Sequence, residues 1–332
     1  MTPLEALLRE RIAREGPLSF REVMAAALYH PRYGYYSNLR GFGADGDFVT
    51  SPELDPIFGQ ILARAANHLW EYLGRPRPFR VLEYGAGSGA LAAAMLEALP
   101  YAEYAIEEPS PSLRRLQRAR LGELAPPTGS PHLVIANEVL DALPVHRVTV
   151  RDGRLRELRV DRDLQWVEFD PPPTLEAYFA RLKLLPPEGA VTEACLDLEP
   201  WVAGLARRLE RGLALILDYG YTAEALYARQ QGSLLTYYRH TLGSDPLVRL
   251  GEQDISVHVD FTSLATCAHR SGLQVIGVIS QGTLLRNLGI GTRRPELVDP
   301  RGLGRVGVLF LGRGLGSYVP LGLEKAGYAT HD

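Results

Sequence analysis

Three glycines at alternate positions, Gly85, Gly87 and Gly89, follow a short apolar run from Phe79 to Leu82. Glycine reaches backbone conformations closed to other residues and lacks the Cβ that would hold a ligand away. Ala90 to Leu99, rich in alanine and leucine, reads as a helix behind the turn. Its N-terminus offers N–H groups and a positive dipole end. Strand, glycine turn and helix predict the first βα unit of a nucleotide-binding sheet. The glycines alone do not choose the ligand. Gly85, Gly87 and Ala90 also satisfy a dinucleotide pattern, so NAD and an oxidoreductase stay open. Glu83, two residues before Gly85, leans the other way. A carboxylate there faces a pyrophosphate badly and suits the ammonium of a methionine moiety, as in S-adenosylmethionine.

More polar groups fall where the ends of parallel strands should gather. Ala102 to Ile106 reads as a second strand, and Glu108 follows it, 19 residues past Gly89. An acid at that place accepts the ribose hydroxyls of an adenosine; the alternative is an exposed loop carboxylate. His132 to Ala136 reads as a buried strand that delivers Asn137, Glu138 and Asp141. Ligands of open α/β sheets sit beyond the carboxyl ends of the strands. The competing account of these three is a helix cap at Asn137 with surface acids.

The elements that must position these groups follow from periodicity and punctuation. The pattern predicts an α/β fold with a Rossmann-like sheet and helices on both faces. Residues 1–75 form an N-terminal helical segment, with Ser19 and Glu22 as a capping box. Thr50 or Ser51 caps a helix that Pro52 opens and that runs toward Tyr72. Residues 76–145 and 186–312 form the core. Residues 146–185 insert a β-ribbon and a helix, with a hairpin turning at Asp152-Gly153. Residues 313–332 are a tail.

Composition narrows the classes. The net charge is −3, from 36 basic and 39 acidic residues, which gives no support to nucleic acid as a partner. Cys195 and Cys267 stand far apart, without metal-ligand spacing, so a reducing compartment and a cytoplasmic location are expected, with no metal. No apolar run reaches the roughly 18 residues of a membrane span. Exposed arginine and glutamate surfaces would permit a homodimer.

Several stretches together resemble one family. They are Gly46-Asp47-Phe48-Val49-Thr50-Ser51-Pro52-Glu53, Val81 to Gly89, Glu108 to Pro111, Asn137 to Pro144, Tyr237 to His240 and Gln253 to Phe261. The chain is similar over most of its length to the MidA-type class I S-adenosylmethionine-dependent methyltransferases. That family includes the mitochondrial arginine methyltransferase that serves in complex I assembly. The resemblance implies S-adenosylmethionine as cofactor and a protein arginine as acceptor, on a respiratory NADH dehydrogenase subunit. It also implies that the N-terminal loop is a lid, with Asp47 and Thr50 beside the cofactor and Glu53, Tyr238 and Arg239 toward the substrate. Glu138 becomes the clamp on the guanidinium, with Asp141 in support if the two open a helical turn and share a face. His258 is either the base that takes the released proton or a structural histidine bonded within its loop. A non-catalytic assembly factor that keeps the pocket is the remaining alternative.

Overall fold

The computed structural model describes residues 1–38, 50–126 and 128–323. The chain divides into two compact units. One contains residues 42–139, 201–219 and 265–332; the other contains 1–41, 140–200 and 220–264. The segment around Ile57–Tyr72 groups with the sheet, and residues 220–264 group with the ribbon.

The first unit is built on six strands: β1 (Phe79–Tyr84), β2 (Ala102–Glu107), β3 (Leu133–Asn137), β4 (Gly212–Asp218), β5 (Gln274–Ser280) and β6 (Gly307–Arg313). Their order is β5-β6-β4-β3-β1-β2. β2, β1, β3 and β4 run parallel, while β6 pairs antiparallel with both β4 and β5. β5 and β6 thus close the sheet as an antiparallel pair, with β5 at the edge and β6 one strand in. Apolar positions alternate along β1 with period two. Phe79 and Val81 join a core with Phe58, Ile61, Leu62 and Leu69 of the helix Ile57–Tyr72. Those helical positions recur at three and four residues, which makes one stripe. Tyr84 points to the opposite face and meets Trp201 of the helix Leu198–Arg208, ring centroids 5.5 Å apart. Both faces of the sheet are thus covered.

The helix expected from Pro52 to Tyr72 is broken. A short helix, Ser51–Leu54, ends at Asp55, which is extended at φ −163°. Asp55 Oδ1 then accepts the N–H of Ile57 at 2.8 Å and starts the long helix afresh. Thr50 stands at the cap position of the short helix without a side-chain cap bond.

The second unit holds an antiparallel sheet of His146–Arg151, Arg154–Val160, Trp166–Phe169 and Val191–Ala194, joined by the N-terminal strand Leu18–Ser19. The hairpin turns at Asp152 and Gly153, both at positive φ, as its Asp-Gly sequence requires. The Ser19–Glu22 capping box opens the helix Phe20–Tyr29. Leu235–Tyr238, Thr241–Gly243 and Asp254–Ser256 add a three-stranded ribbon that the sequence reading did not anticipate.

Candidate functional site

The carboxyl ends of β1, β2, β3 and β4 carry the polar groups of the first unit. Gly85, Gly87 and Gly89 all adopt positive φ, at 60°, 54° and 84°. A Cβ on Gly85 would meet Val139 Cγ2 at 3.0 Å, so the turn closes tightly against the end of β3. Gln117, buried on the helix Pro111–Leu121, donates from Nε2 to the Gly87 carbonyl at 2.9 Å.

Glu83 is buried in β1, and its Oε2 accepts the Tyr104 hydroxyl at 2.7 Å. Burial lifts its carboxyl to about 7; the tyrosine pulls the other way and the charge of Glu108 adds to the rise. Glu108 is also buried, and burial raises it as well. Its Oε1 accepts the N–H of Ser110 at 2.8 Å, which fixes it at the end of β2 rather than in solvent. Asn137 Oδ1, buried at the end of β3, has no hydrogen-bond donor among the described residues.

Glu138 is half-buried and adopts φ +53°, a left-handed conformation that strains any residue with a Cβ. Its N–H donates to the Leu217 carbonyl at 2.8 Å. Asn137 Nδ2 donates to its Oε1 at 3.2 Å. The adjacent N–H of Val139 donates to Asp218 Oδ2 at 3.2 Å. Asp141 lies in a separate 3-10 turn, Leu140–Ala142. Glu138 stands outside any helix, so the helical face expected from the three-residue spacing does not form. The cause is the hold of Leu217 and Asp218 on the backbone.

Asp141, His258, Tyr238 and Arg239 belong to the second unit. The Asp141 carbonyl accepts the N–H of Val257 at 2.9 Å, which brings Asp141 beside the segment that carries His258. The His258 N–H donates to Ser233 Oγ at 2.9 Å, and its ring meets Tyr221 edge-on at 5.1 Å. Tyr238 ends the strand Leu235–Tyr238, and Arg239 and His240 form the two-residue turn after it, both at positive φ. The guanidinium groups of Arg239 and Arg249 lie over the Tyr238 ring at 5.1 and 4.7 Å. Glu53 is placed against the glycine turn, in contact with Ser88. Asp47 lies outside the described residues.

Two residues at this rim escaped the sequence reading as functional candidates. Asp218 was visible as an acid ending an apolar strand. Gln117 was visible only as the one amide in an arginine-rich helix.

The residues fit an adenosyl ligand with a cationic end. The three glycines hold a positive-φ turn at the end of β1, Glu83 and Glu108 are acids in a buried setting, and Asn137 Oδ1 can accept a bond. Similar proteins agree. A sequence-family model for S-adenosyl-L-methionine-dependent methyltransferases matches residues 61–279. The protein arginine methyltransferase NDUFAF7 homolog, mitochondrial, of Drosophila melanogaster is 31% identical, over 88% of this chain and 76% of its own length. Protein arginine methyltransferase NDUFAF7, mitochondrial, of Homo sapiens is 27% identical, over 90% of this chain and 76% of its own. A crystal structure from Burkholderia thailandensis, bound to S-adenosyl-homocysteine, matches with a TM-score of 0.85 at 34% identity. That match covers 99% of this chain and 96% of the other. These matches favour the methionine-derived cofactor over the dinucleotide. The chain belongs to the family of S-adenosyl-L-methionine-dependent methyltransferases.

Proposed function

We propose that the protein methylates a guanidinium nitrogen of a protein arginine. The relatives in Drosophila melanogaster and Homo sapiens are named protein arginine methyltransferases, which supports this reading. The observation that carries it is Glu138, a carboxylate held in a strained conformation at the rim of the cofactor unit. Strained residues concentrate at functional sites, where the surrounding structure over-determines them.

S-adenosylmethionine, when bound, supplies an electrophilic methyl group. The glycine turn, Glu83, Glu108, Asn137 and Thr50 would hold it. The chain's own task is geometric: transfer needs the acceptor nitrogen near the methyl and in line with the breaking bond. Guanidinium stays protonated at neutral pH and is a poor nucleophile. Glu138 grips it and draws positive charge away from the attacking nitrogen. Asp141 and His258 serve the acceptor side, His258 taking the released proton. Tyr238 and Arg239 line the acceptor's approach. The proposed acceptor is a subunit of a respiratory NADH dehydrogenase, and the proposed compartment is the cytoplasm, in keeping with the two free cysteines.

The test is incubation with radiolabelled S-adenosylmethionine and lysate from the source organism. We expect a labelled protein band whose methyl group maps by mass spectrometry to arginine, and its loss with Glu138→Gln. Label on another residue type, or undiminished label with Glu138→Gln, would overturn the assignment.

A further inference from the structure

Ser88 is the one polar side chain of the turn Gly85-Ala86-Gly87-Ser88-Gly89. It is buried. Its hydroxyl donates to Glu53 Oε1 and accepts from the Arg120 guanidinium. Arg120 and Glu53 face one another at 3.8 Å, with Glu53 almost buried. Glu53 belongs to the short helix Ser51–Leu54, which is itself anchored. Ser51 Oγ, buried, donates to Gln281 Oε1 at 3.1 Å, and Gln281 Nε2 donates back at 2.9 Å.

We infer that Glu53 is a positioning residue for the glycine turn, acting through Ser88 on cofactor affinity rather than touching the methyl acceptor. This rests on the assignment of the turn to the cofactor. A segment with three glycines has much conformational freedom to lose when it orders around a ligand. Ordering it beforehand lowers the cost of binding. The turn offers few points at which to do so, because its side chains are hydrogens, one methyl and one hydroxyl. Ser88 is the handle. Glu53 accepts the hydroxyl's hydrogen bond and fixes its direction, and Arg120 balances the charge of Glu53. Gln117 holds the turn from the Gly87 carbonyl.

The test is calorimetric titration of the full chain with S-adenosylhomocysteine, for wild type, Glu53→Ala, Glu53→Gln, Ser88→Ala and Glu53→Ala/Ser88→Ala. We expect Glu53→Ala and Ser88→Ala each to weaken binding by about three- to tenfold, the span of one net hydrogen bond. The double variant should be no weaker than the weaker single one, because both act through one bond. Glu53→Gln keeps an acceptor oxygen and should recover part of the loss. Wild-type affinity in Glu53→Ala, or strict additivity in the double variant, would overturn the inference. So would unchanged S-adenosylhomocysteine affinity together with a raised KM for the acceptor. Should Glu53→Ala unfold, Glu53→Gln and Ser88→Ala still decide, since Ser88→Ala removes one oxygen and nothing else. Failure of the wild type to bind would instead sink the cofactor assignment beneath it.

Discussion

Asp218 Oδ2 accepts the backbone N–H of Val139 at 3.2 Å, and this bond braces the end of β3 from the end of β4. With the Glu138 N–H on the Leu217 carbonyl, it holds Glu138 at φ +53°. A left-handed residue with a Cβ carries on the order of 1 kcal/mol of strain. Glu138→Gly should release it, offset in part by glycine's greater freedom in the unfolded chain. We expect a urea midpoint at or above wild type for Glu138→Gly, and at or below it for Glu138→Ala. Methyl transfer should fall in both by on the order of 10² or more, as for other lost electrostatic stabilisers. A clearly destabilised glycine variant would contradict the strain.

Val139 also closes over the glycine turn. Gly85→Ala would put a Cβ 3.0 Å from Val139 Cγ2 on a backbone at φ +60°. The backbone term alone should cost about 1–2 kcal/mol. Gly85→Ala/Val139→Ala relieves the contact and leaves the backbone term. Denaturant unfolding of both variants should show the double variant recovering only part of the loss. Full recovery would mean that the positive φ carries no strain.

Glu83 makes stability depend on pH. Burial lifts its carboxyl from 4.5 to about 7. Between those values the folded protein keeps a proton that the unfolded chain has released. Stability therefore falls as pH rises through this window, by about 3 kcal/mol in all. Glu83→Gln should flatten the dependence and leave the ligand-free protein more stable than wild type at pH 8, while weakening S-adenosylhomocysteine. Chemical unfolding at pH 5 and pH 8 reads the first effect; titration calorimetry reads the second.

His258 separates base from brace. Its backbone N–H is tied to Ser233, and its ring sits against Tyr221, half-buried. His258→Asn keeps the backbone bond. As the base, it should lower kcat by about 10²-fold and remove the acid limb of the rate profile. S-adenosylhomocysteine affinity should stay unchanged. An unaltered pH profile in His258→Asn would leave the ring a structural one.

The positions proposed for the cofactor were more legible in the sequence than those proposed for the acceptor, for a physical reason. Gly85, Gly87 and Gly89 need positive φ, and glycine is the residue that takes it at no steric cost. Glu83, Glu108 and Asn137 sit at the ends of apolar runs, so the strand pattern places them. Glu138 was visible as a residue but not as a conformation. Its spacing to Asp141 argued for a helix, and the bonds from Leu217 and Asp218, about 80 residues on, overrode the local preference. Glu53 was legible as part of a motif, whereas its partners Ser88 and Arg120 are brought to it by the fold. The break at Asp55 followed the same logic: one carboxylate capping Ile57 outweighed an apolar stripe that read as continuous.

β6 has a consequence for the order of assembly. β5 joins the sheet through β6, and β6 is made of residues 307–313. On the ribosome, β5 would emerge before β6, its one neighbour among the described residues, with Ile279 awaiting cover. β4 would likewise keep one flank open until then. A nascent chain halted before residue 307 should expose two unzipped strand edges, and such a chain is a natural client for a chaperone.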